Sequence, residues 1–190
     1  MRRSHYSYEL PGIDWNITIP EKYEKFVIQL YGGASSASLI DGQVFYGAHG
    51  GCVTLSLKVQ KEDELIIRLG HGGNSKIISE STNVDGNVGE DSYIMLNGNM
   101  IAIAYGANGI KDGNGFVEKS EKILGSQISC SGDGGKLYEL KQDNVDKFYT
   151  DFDGKKACGG KCKKYGNKII YLGAGGAGYA HVWIDTNELI

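Results

Sequence analysis

A glycine motif late in the chain carries the letters of a nucleotide-binding loop. Gly173-Ala-Gly-Gly-Ala-Gly178 follows an apolar run and matches the pattern G-x-G-x-x-G. In dinucleotide-binding proteins a helix begins after these glycines, and its amino terminus holds the pyrophosphate. The residues after Gly178 alternate between apolar and polar types, which indicates a strand. We therefore interpret the motif as a structural glycine segment and predict no cofactor.

A pair of cysteines has the spacing of half a zinc site. Three residues separate Cys158 from Cys162, and paired zinc ligands are often about two to four residues apart. A complete site needs two more ligands, and the candidates His49, His71 and Cys130 are scattered along the chain. A structural zinc, a local disulfide and two unbridged thiols are the alternatives, and the last is favoured. We predict no metal site.

Two histidines lie in matching glycine turns, Gly-Ala-His49-Gly-Gly and Leu-Gly-His71-Gly-Gly. The imidazoles could lie close together if the turns stack, although glycine turns also tolerate a histidine that has no function. No serine, cysteine or carboxylate belongs to a recognisable nucleophile motif. A hydrolase that uses His49 or His71 is therefore a minor alternative, and we expect the protein not to be an enzyme.

Polar and aromatic side chains beside the glycine turns are the candidate binding residues. Tyrosine supplies a large contact area at low entropic cost, which suits a recognition surface. Core packing explains many of the tyrosines equally well. The candidates are Tyr31, Tyr46, His49, His71, Tyr105 and Asn108.

Strands must position these residues, because period-two alternation of apolar and polar residues recurs along the chain. Residues 51–59 show it most cleanly, with Val53 and every second residue after it on the inward side. Residues 65–69 repeat the pattern after a charged stretch, which predicts an antiparallel hairpin with 51–59. Asn97-Gly98 predicts a two-residue type I′ turn. The other predicted strands are 15–19, 24–31, 92–96, 100–104, 168–172 and 179–184.

Glycines cluster where these strands end. The chain has 29 glycines in 190 residues, about twice the usual share near 7%. Glycine permits a close approach of two backbones, so the clusters indicate segments that pack near one another, stacked as extended polyglycine-like strands. We predict a mainly β fold, an antiparallel β-sandwich or jelly-roll-like domain with glycine-rich loops at the strand ends.

A region of different character interrupts this pattern. Over 107–167 the alternation fades and the charge rises, and apolar residues in 136–149 recur at helical spacing. We interpret 107–167 as an insertion with one short helix and a lysine-rich loop, within a single glycine-rich β domain over 1–190. The loop lysines are Lys155, Lys156, Lys161, Lys163, Lys164 and Lys168.

The composition excludes several classes of protein. Twenty Lys and Arg against 23 Asp and Glu give a formal charge of −3, so the chain as a whole lacks the basic excess of a nucleic-acid-binding protein. We expect no membrane span and no secretory signal, because no apolar run has the required length. Four cysteines are too few for a secreted disulfide scaffold, which favours reduced thiols in a cytosol.

Three stretches combine a strand with a glycine turn: 26–36, then 47–57 continuing through 65–73, and 173–184. They resemble the opening strand, the central hairpin and the closing strand of the glycine-rich domains of phage tail-fibre adhesins, related virion proteins and some eukaryotic receptor modules. That family carries no catalytic residues, so the resemblance implies a structural or binding role. The segment 107–167 departs from the family, whose phage adhesins continue there with polyglycine tracts.

The leading hypothesis is a non-enzymatic structural or interaction protein, a phage or virus particle component that mediates assembly or attachment. Its partners would be other structural proteins in a homo- or hetero-oligomer, with no nucleic acid involved. The expected location is the virion, after synthesis in the host cytoplasm, and a cell surface or a cytoplasmic assembly is the alternative. The second hypothesis is an adhesin that binds a surface glycan or a receptor through its glycine loops.

Overall fold

The computed structural model describes residues 2–79, 83–129, 156–165 and 169–186. This part of the chain forms fifteen strands and no helix, which confirms the prediction of a mainly β fold. The strands are β1 (Arg2–Tyr8), β2 (Asp14–Asn16), β3 (Lys25–Tyr31), β4 (Ser38–Ile40), β5 (Gln43–Phe45), β6 (Cys52–Leu57), β7 (Leu65–Arg68), β8 (Lys76–Ser79), β9 (Ser92–Leu96), β10 (Asn99–Ala104), β11 (Gly115–Val117), β12 (Ile123–Ser129), β13 (Cys162–Tyr165), β14 (Ile169–Leu172) and β15 (Tyr179–Thr186). None of the described residues belongs to a helix that could cross a membrane.

Two five-stranded antiparallel sheets contain most of the strands. The first sheet has the order β1-β15-β3-β6-β12, and the second has the order β11-β10-β9-β7-β2. A small sheet has the order β13-β14-β8, and β4 pairs with β5. Seven of the eight predicted strands appear as β3, β6, β7, β9, β10, β14 and β15, whereas the eighth, 15–19, is replaced by the shorter and earlier β2.

Both five-stranded sheets contribute residues to the largest hydrophobic cluster. Phe26 and Ile28 of β3 are fully buried in the same cluster as Ile67 of β7 and Ile94 of β9. The predicted inward side of β6, beginning at Val53, belongs to this cluster too. Burial of each large apolar side chain contributes about 1.5–3 kcal/mol, so this core is the main source of stability.

The predicted hairpin of β6 with β7 is wrong. β6 pairs with β3 and β12 in the first sheet, whereas β7 pairs with β9 and β2 in the second. Residues 58–64 therefore cross from one sheet to the other. Alternation indicates only which side of a strand is buried, and it looks the same whether two strands pair side by side or face each other across a core.

The predicted turn at Asn97-Gly98 is confirmed. The two residues connect β9 to β10 and have φ values of 52° and 77°, the positive values that a type I′ turn requires. The side-chain oxygen of Asn97 also accepts a hydrogen bond from the N–H of Glu64 at 2.8 Å. The turn is therefore tied to the crossing segment 58–64.

A buried carboxylate, Asp63, fixes that crossing. It accepts hydrogen bonds from Nζ of Lys122 at 2.6 and 2.8 Å, from Nδ2 of Asn97 at 2.7 Å and from the N–H of Gln60 at 2.7 Å. Burial by itself raises the pKa of Asp63, but these donors outweigh it and hold the pKa below its ordinary value. The carboxylate therefore stabilises the fold at neutral pH, and this contribution is lost as the pH falls through the lowered pKa.

We expect Asp63→Asn to lower the free energy of unfolding by about 1–3 kcal/mol at pH 7, because the amide keeps the size but not the charge opposite Lys122. Urea denaturation at pH 7 measures the loss. The difference from the wild type should shrink on acidification, because the wild-type carboxylate then becomes neutral as well. A difference that stays constant down to pH 3 contradicts the assignment.

Seven extended segments form a glycine bundle at one end of the two sheets: 32–37, 47–51, 70–74, 86–90, 105–109, 157–161 and 173–178. The segment 32–37 lies at the centre and is fully buried. Each of its six amides donates a hydrogen bond, and every third amide returns to the same neighbour, the period of a left-handed polyproline II helix. In order from Gly32 to Ala37, the acceptors are the carbonyls of Gly51, Glu90, Gly176, Ala48, Asn87 and Gly173.

Six segments surround the central one in a closed ring. Carbonyls of the central segment accept hydrogen bonds from Gly73, Ala107 and Gly160, which adds three neighbours to the three acceptor segments. Each neighbour is also hydrogen-bonded to the next, in the order 47–51, 157–161, 173–178, 70–74, 86–90 and 105–109, and the last returns to the first. The prediction that the glycine clusters stack as extended, polyglycine-like strands is confirmed for the clusters that the structure describes, whereas Gly134-Gly135 lies outside the described residues.

Glycine is required in this bundle for close approach and not for a positive φ. Apart from Gly109, no bundle glycine lies in the left-handed region. A Cβ on Gly33 would lie 2.1 Å from the carbonyl oxygen of His71, and one on Gly175 would lie 2.0 Å from that of Ala34. The missing side chains therefore set the spacing of the segments, as they do at the axis of collagen.

The segment 107–167, predicted to be an insertion, contributes strands to both five-stranded sheets. β11 and β12 are edge strands of the second and first sheets, and 157–161 belongs to the glycine bundle. The sequence analysis missed these strands because β11 has only three residues and β12 contains a glycine among polar side chains. The helix predicted over 136–149 lies outside the described residues, as do Lys155 and Lys168 of the lysine-rich loop.

Candidate functional surfaces

Of the predicted binding residues, Tyr31 lies in the interior. Its side chain is only 3% exposed and stacks on Tyr179, with ring centroids 4.2 Å apart and planes 9° from parallel. Cys52 and Ala157 complete this cluster. Burial, followed by the neighbouring Cys52 and Tyr179, raises the pKa of Tyr31 far above its ordinary value. Tyr31 therefore contributes packing and not an exposed contact.

Three of the predicted residues lie on neighbouring segments of the glycine bundle. His49 belongs to 47–51, and Tyr105 and Asn108 belong to 105–109, the next segment of the ring. Nδ1 of His49 accepts a hydrogen bond from the N–H of Gly159 at 3.1 Å. Tyr46, immediately before 47–51, is 63% exposed. These four predicted residues therefore lie on or beside two neighbouring segments of the bundle.

His71 lies on the opposite side. Its segment, 70–74, is three places around the ring from 47–51, so the turns stack without bringing the two histidines together. Its partner is Glu90, whose carboxylate lies 2.8 Å from Nδ1 of His71 and accepts the backbone N–H of His71 at 3.1 Å. The backbone bond and then the imidazole bond lower the pKa of Glu90. Each histidine has its own local partners, and the two form no joint site.

The predicted cysteine pair and part of the lysine-rich loop lie within the described residues. No disulfide joins Cys158 to Cys162, and burial raises the pKa of the Cys162 thiol, which disfavours the thiolate that zinc binds. No cluster of three or more potential metal ligands occurs within the described ranges. Lys156 forms an ion pair with Glu9 at 3.1 Å and lies 5.9 Å from the ring centre of Tyr179. Cys130 lies outside the described residues.

The outer side of the second sheet carries a contiguous set of apolar side chains, which we call the apolar face. The strand register places Phe116, Ile103 and Tyr93 in one row across three strands. A second row of apolar residues runs beside it over β10, β9 and β7. All six are at least partly exposed, and Phe116 is 47% exposed. The apolar face consists of Phe116, Ile103, Tyr93, Met100, Met95 and Ile66.

A charged pair borders the apolar face. Arg68 of β7 continues the row of Tyr93, and Asp14 of β2 continues it further. Nη1 of Arg68 donates to Oδ1 of Asp14 at 3.4 Å, and both side chains are exposed. The face is therefore apolar along most of its width and has one pair of opposite charges on the β2 side.

The outer side of the first sheet has a different chemistry, and we call it the aromatic face. His181 and Trp183, which are partly exposed, alternate along β15 with the buried residues Ala180, Val182 and Ile184. The ring of His5 on β1 stacks on that of Trp183, with centroids 5.1 Å apart and planes 11° from parallel. Nε2 of His5 lies 3.0 Å from Nδ1 of His181, so one imidazole donates to the other, and Oγ of Ser7 lies 3.1 Å from the same Nδ1.

A groove opens beside Trp183 on the aromatic face. It encloses about 170 Å³ and is lined by Arg3, Lys25, Val27, Trp183 and Asp185. Nε and Nη2 of Arg3 donate to the two oxygens of Asp185 at 2.7 and 2.9 Å. These bonds hold the pKa of Asp185 below its ordinary value, so the carboxylate is charged at neutral pH.

The sequence analysis missed both faces. The outward residues of β15 and β9 could have been identified from the alternation that located their inward residues, because the two sets occupy alternate positions. The pairing of β1 with β15 left no such signal, because it joins residues from opposite ends of the sequence. His5 and Arg3 could not be assigned to the aromatic face without that pairing.

No family model and no curated protein sequence matches this chain.

Proposed function

We propose that the protein is a non-enzymatic structural component of a phage or virus particle, and that it assembles through the apolar face. The observation that carries this proposal is the row of Phe116, Ile103 and Tyr93 beside the row of Met100, Met95 and Ile66. We infer that the two five-stranded sheets form a β-sandwich, whose two outer sides are then available for recognition. The resemblance to glycine-rich virion domains supports the particle context.

The composition of the apolar face suits a protein partner. Aromatic residues and methionine are enriched in protein interfaces, whereas charged residues are depleted from interface cores. Contiguous apolar patches on monomers are often functional. Tyr93 and Met95 lie on the central strand of the sheet, so the patch is supported by hydrogen-bonded strands on both sides. Little backbone entropy is therefore lost when the patch is covered.

A second copy of the chain is the partner that the face fits best. A two-fold interface uses the same patch on both subunits, so the patch must be complementary to itself. An apolar surface meets this condition, and the paired charges of Arg68 and Asp14 add no net repulsion when two such faces meet. Two sheets can pack face to face about 10 Å apart.

We expect size-exclusion chromatography with light scattering to give twice the chain mass of 20.6 kDa for the wild type. Phe116→Glu should shift the protein to the monomer and weaken the association at least tenfold, because a charge then replaces a buried ring. Leu124→Glu is the matched control, since Leu124 is 64% exposed on β12 of the other sheet. Circular dichroism is used to check that both variants remain folded.

A wild type that stays monomeric at all accessible concentrations contradicts assembly through a second copy, and so does a Phe116→Glu variant that associates like the wild type. Glycan or receptor binding by such a monomer would instead favour the adhesin, with Tyr46, His49, Tyr105 and Asn108 as its contacts.

A further inference from the structure

We propose that the groove on the aromatic face binds a sugar residue that carries a carboxylate, of the sialic acid or uronic acid class. Its volume of about 170 Å³ is below the roughly 300–1,000 Å³ of sites for drug-sized ligands. The groove therefore has room for one ring and not for an extended oligosaccharide. It lies on the sheet opposite the apolar face, so this inference does not depend on the proposed assembly.

The apolar wall of the groove is the indole of Trp183. His5 stacks on this ring and the backbone pairing places Val27 beside it on β3, so its orientation is fixed before any ligand arrives. Aromatic rings provide a large apolar surface that suits the C–H groups on one side of a pyranose ring. A fixed indole also loses little entropy on binding, which raises affinity for a small ligand.

The charge of the groove favours an anion. Arg3, Asp185 and Lys25 form one row across β1, β15 and β3, so two cations flank one carboxylate. Both oxygens of Asp185 already accept hydrogen bonds from Arg3, and the positive charge of Lys25 further lowers the pKa of Asp185. The row carries one net positive charge, which attracts a ligand carboxylate to Lys25 and to the remaining N–H groups of Arg3.

Asp185 positions one of the two cations. Its side chain is only 3% exposed, so it offers a sugar hydroxyl almost no surface, and its two oxygens instead hold the guanidinium of Arg3. The groups that a ligand can contact are therefore the indole of Trp183 and the cations Lys25 and Arg3. A simple anion would use the cations alone and would leave the indole without a role.

The test is to titrate the full chain with small sugars. Binding is monitored by the NMR signal of the Trp183 indole N–H and by calorimetry. The acidic probes are sialyllactose and methyl glucuronide, and the controls are lactose, methyl glucoside and acetate. We expect the acidic sugars to shift the Trp183 signal and to bind about threefold to fivefold more tightly than their neutral counterparts. The Trp15 indole signal serves as an internal reference.

Two substitutions separate the contribution of the Trp183 indole to binding from that of the Lys25 charge. Trp183→Ala should weaken binding of the acidic sugars about tenfold or more. Lys25→Gln should remove the preference for acidic over neutral sugars, whereas Lys58→Gln, at an exposed lysine just after β6, should leave it unchanged. Lys25 is exposed, so its variant keeps the test informative if Trp183→Ala does not fold.

Three results overturn the proposal. The Trp183 signal could stay unchanged at tens of millimolar acidic sugar, neutral sugars could bind as well as acidic ones, or acetate could reproduce the shifts at equal concentration. The last result identifies a general anion site. The oligomeric state is measured separately, so failure of this proposal is distinguishable from failure of the proposed assembly.

Discussion

Replacing Gly33 with alanine should remove most of the stability of the protein. The new Cβ would lie 2.1 Å from the carbonyl oxygen of His71, and backbone atoms cannot move aside as a flexible side chain can. Overpacking usually costs about 1–3 kcal/mol. We expect a loss of at least about 3 kcal/mol, because any shift of 32–37 also disturbs the hydrogen bonds to its neighbours, and total stability is only about 5–15 kcal/mol.

Chemical denaturation of Gly33→Ala, Gly175→Ala and Gly125→Ala measures this effect. Gly125 is the matched control, because a Cβ there meets no atom within 4 Å and its φ is not positive. Its replacement should change the free energy of unfolding by less than about 0.5 kcal/mol. It could also raise this free energy slightly, because alanine leaves the unfolded chain less conformational freedom than glycine does. Equal effects at Gly33 and Gly125 would show that close approach does not hold the bundle together.

The central amides of the glycine bundle should exchange with solvent as slowly as those of β3, although 32–37 belongs to no regular strand. Each of these amides donates to a neighbouring segment, and all six residues are buried. Their exchange therefore requires global unfolding, which gives protection factors on the order of 10,000 or more. Hydrogen exchange followed by NMR gives the rate for each amide.

The turn at Asp41 and Gly42 provides the comparison, because both residues are exposed and connect the short strands β4 and β5. Its amides should exchange quickly. If Ala34 and Ser35 exchanged as fast as Gly42, the bundle would open independently of the sheets and would not be part of the cooperative core.

Alternation in the sequence predicted the buried side of β6 correctly. It did so because a two-residue period determines which side chains face the core, whatever the partner strand. It could not determine partners, and β6 was therefore paired with β7 instead of with β3 and β12. Partner choice depends on the whole set of strands, and the pattern within one strand does not contain it.

The glycine clusters were predicted to pack together, but the order of the ring could not be derived. Each cluster offers the same bare backbone, so nothing in its letters distinguishes 47–51 from 70–74 as a neighbour. The sequence therefore left the relative positions of His49 and His71 open, and the structure places them on opposite sides of the bundle. The groove was missed for a related reason, since Arg3 reaches Asp185 only through the pairing of β1 with β15.

The ring around 32–37 also determines when the protein can fold. Its members come from early and late parts of the chain, and 173–178 is the last to be synthesised. At roughly 5–20 residues per second on a ribosome, the central segment waits many seconds with part of its backbone uncovered. Contacts between such distant residues form slowly, because the intervening chain must be ordered first. Completion of the core therefore waits for the synthesis of 173–178, and a nascent chain that ends before this segment lacks the acceptors for Ala34 and Ala37.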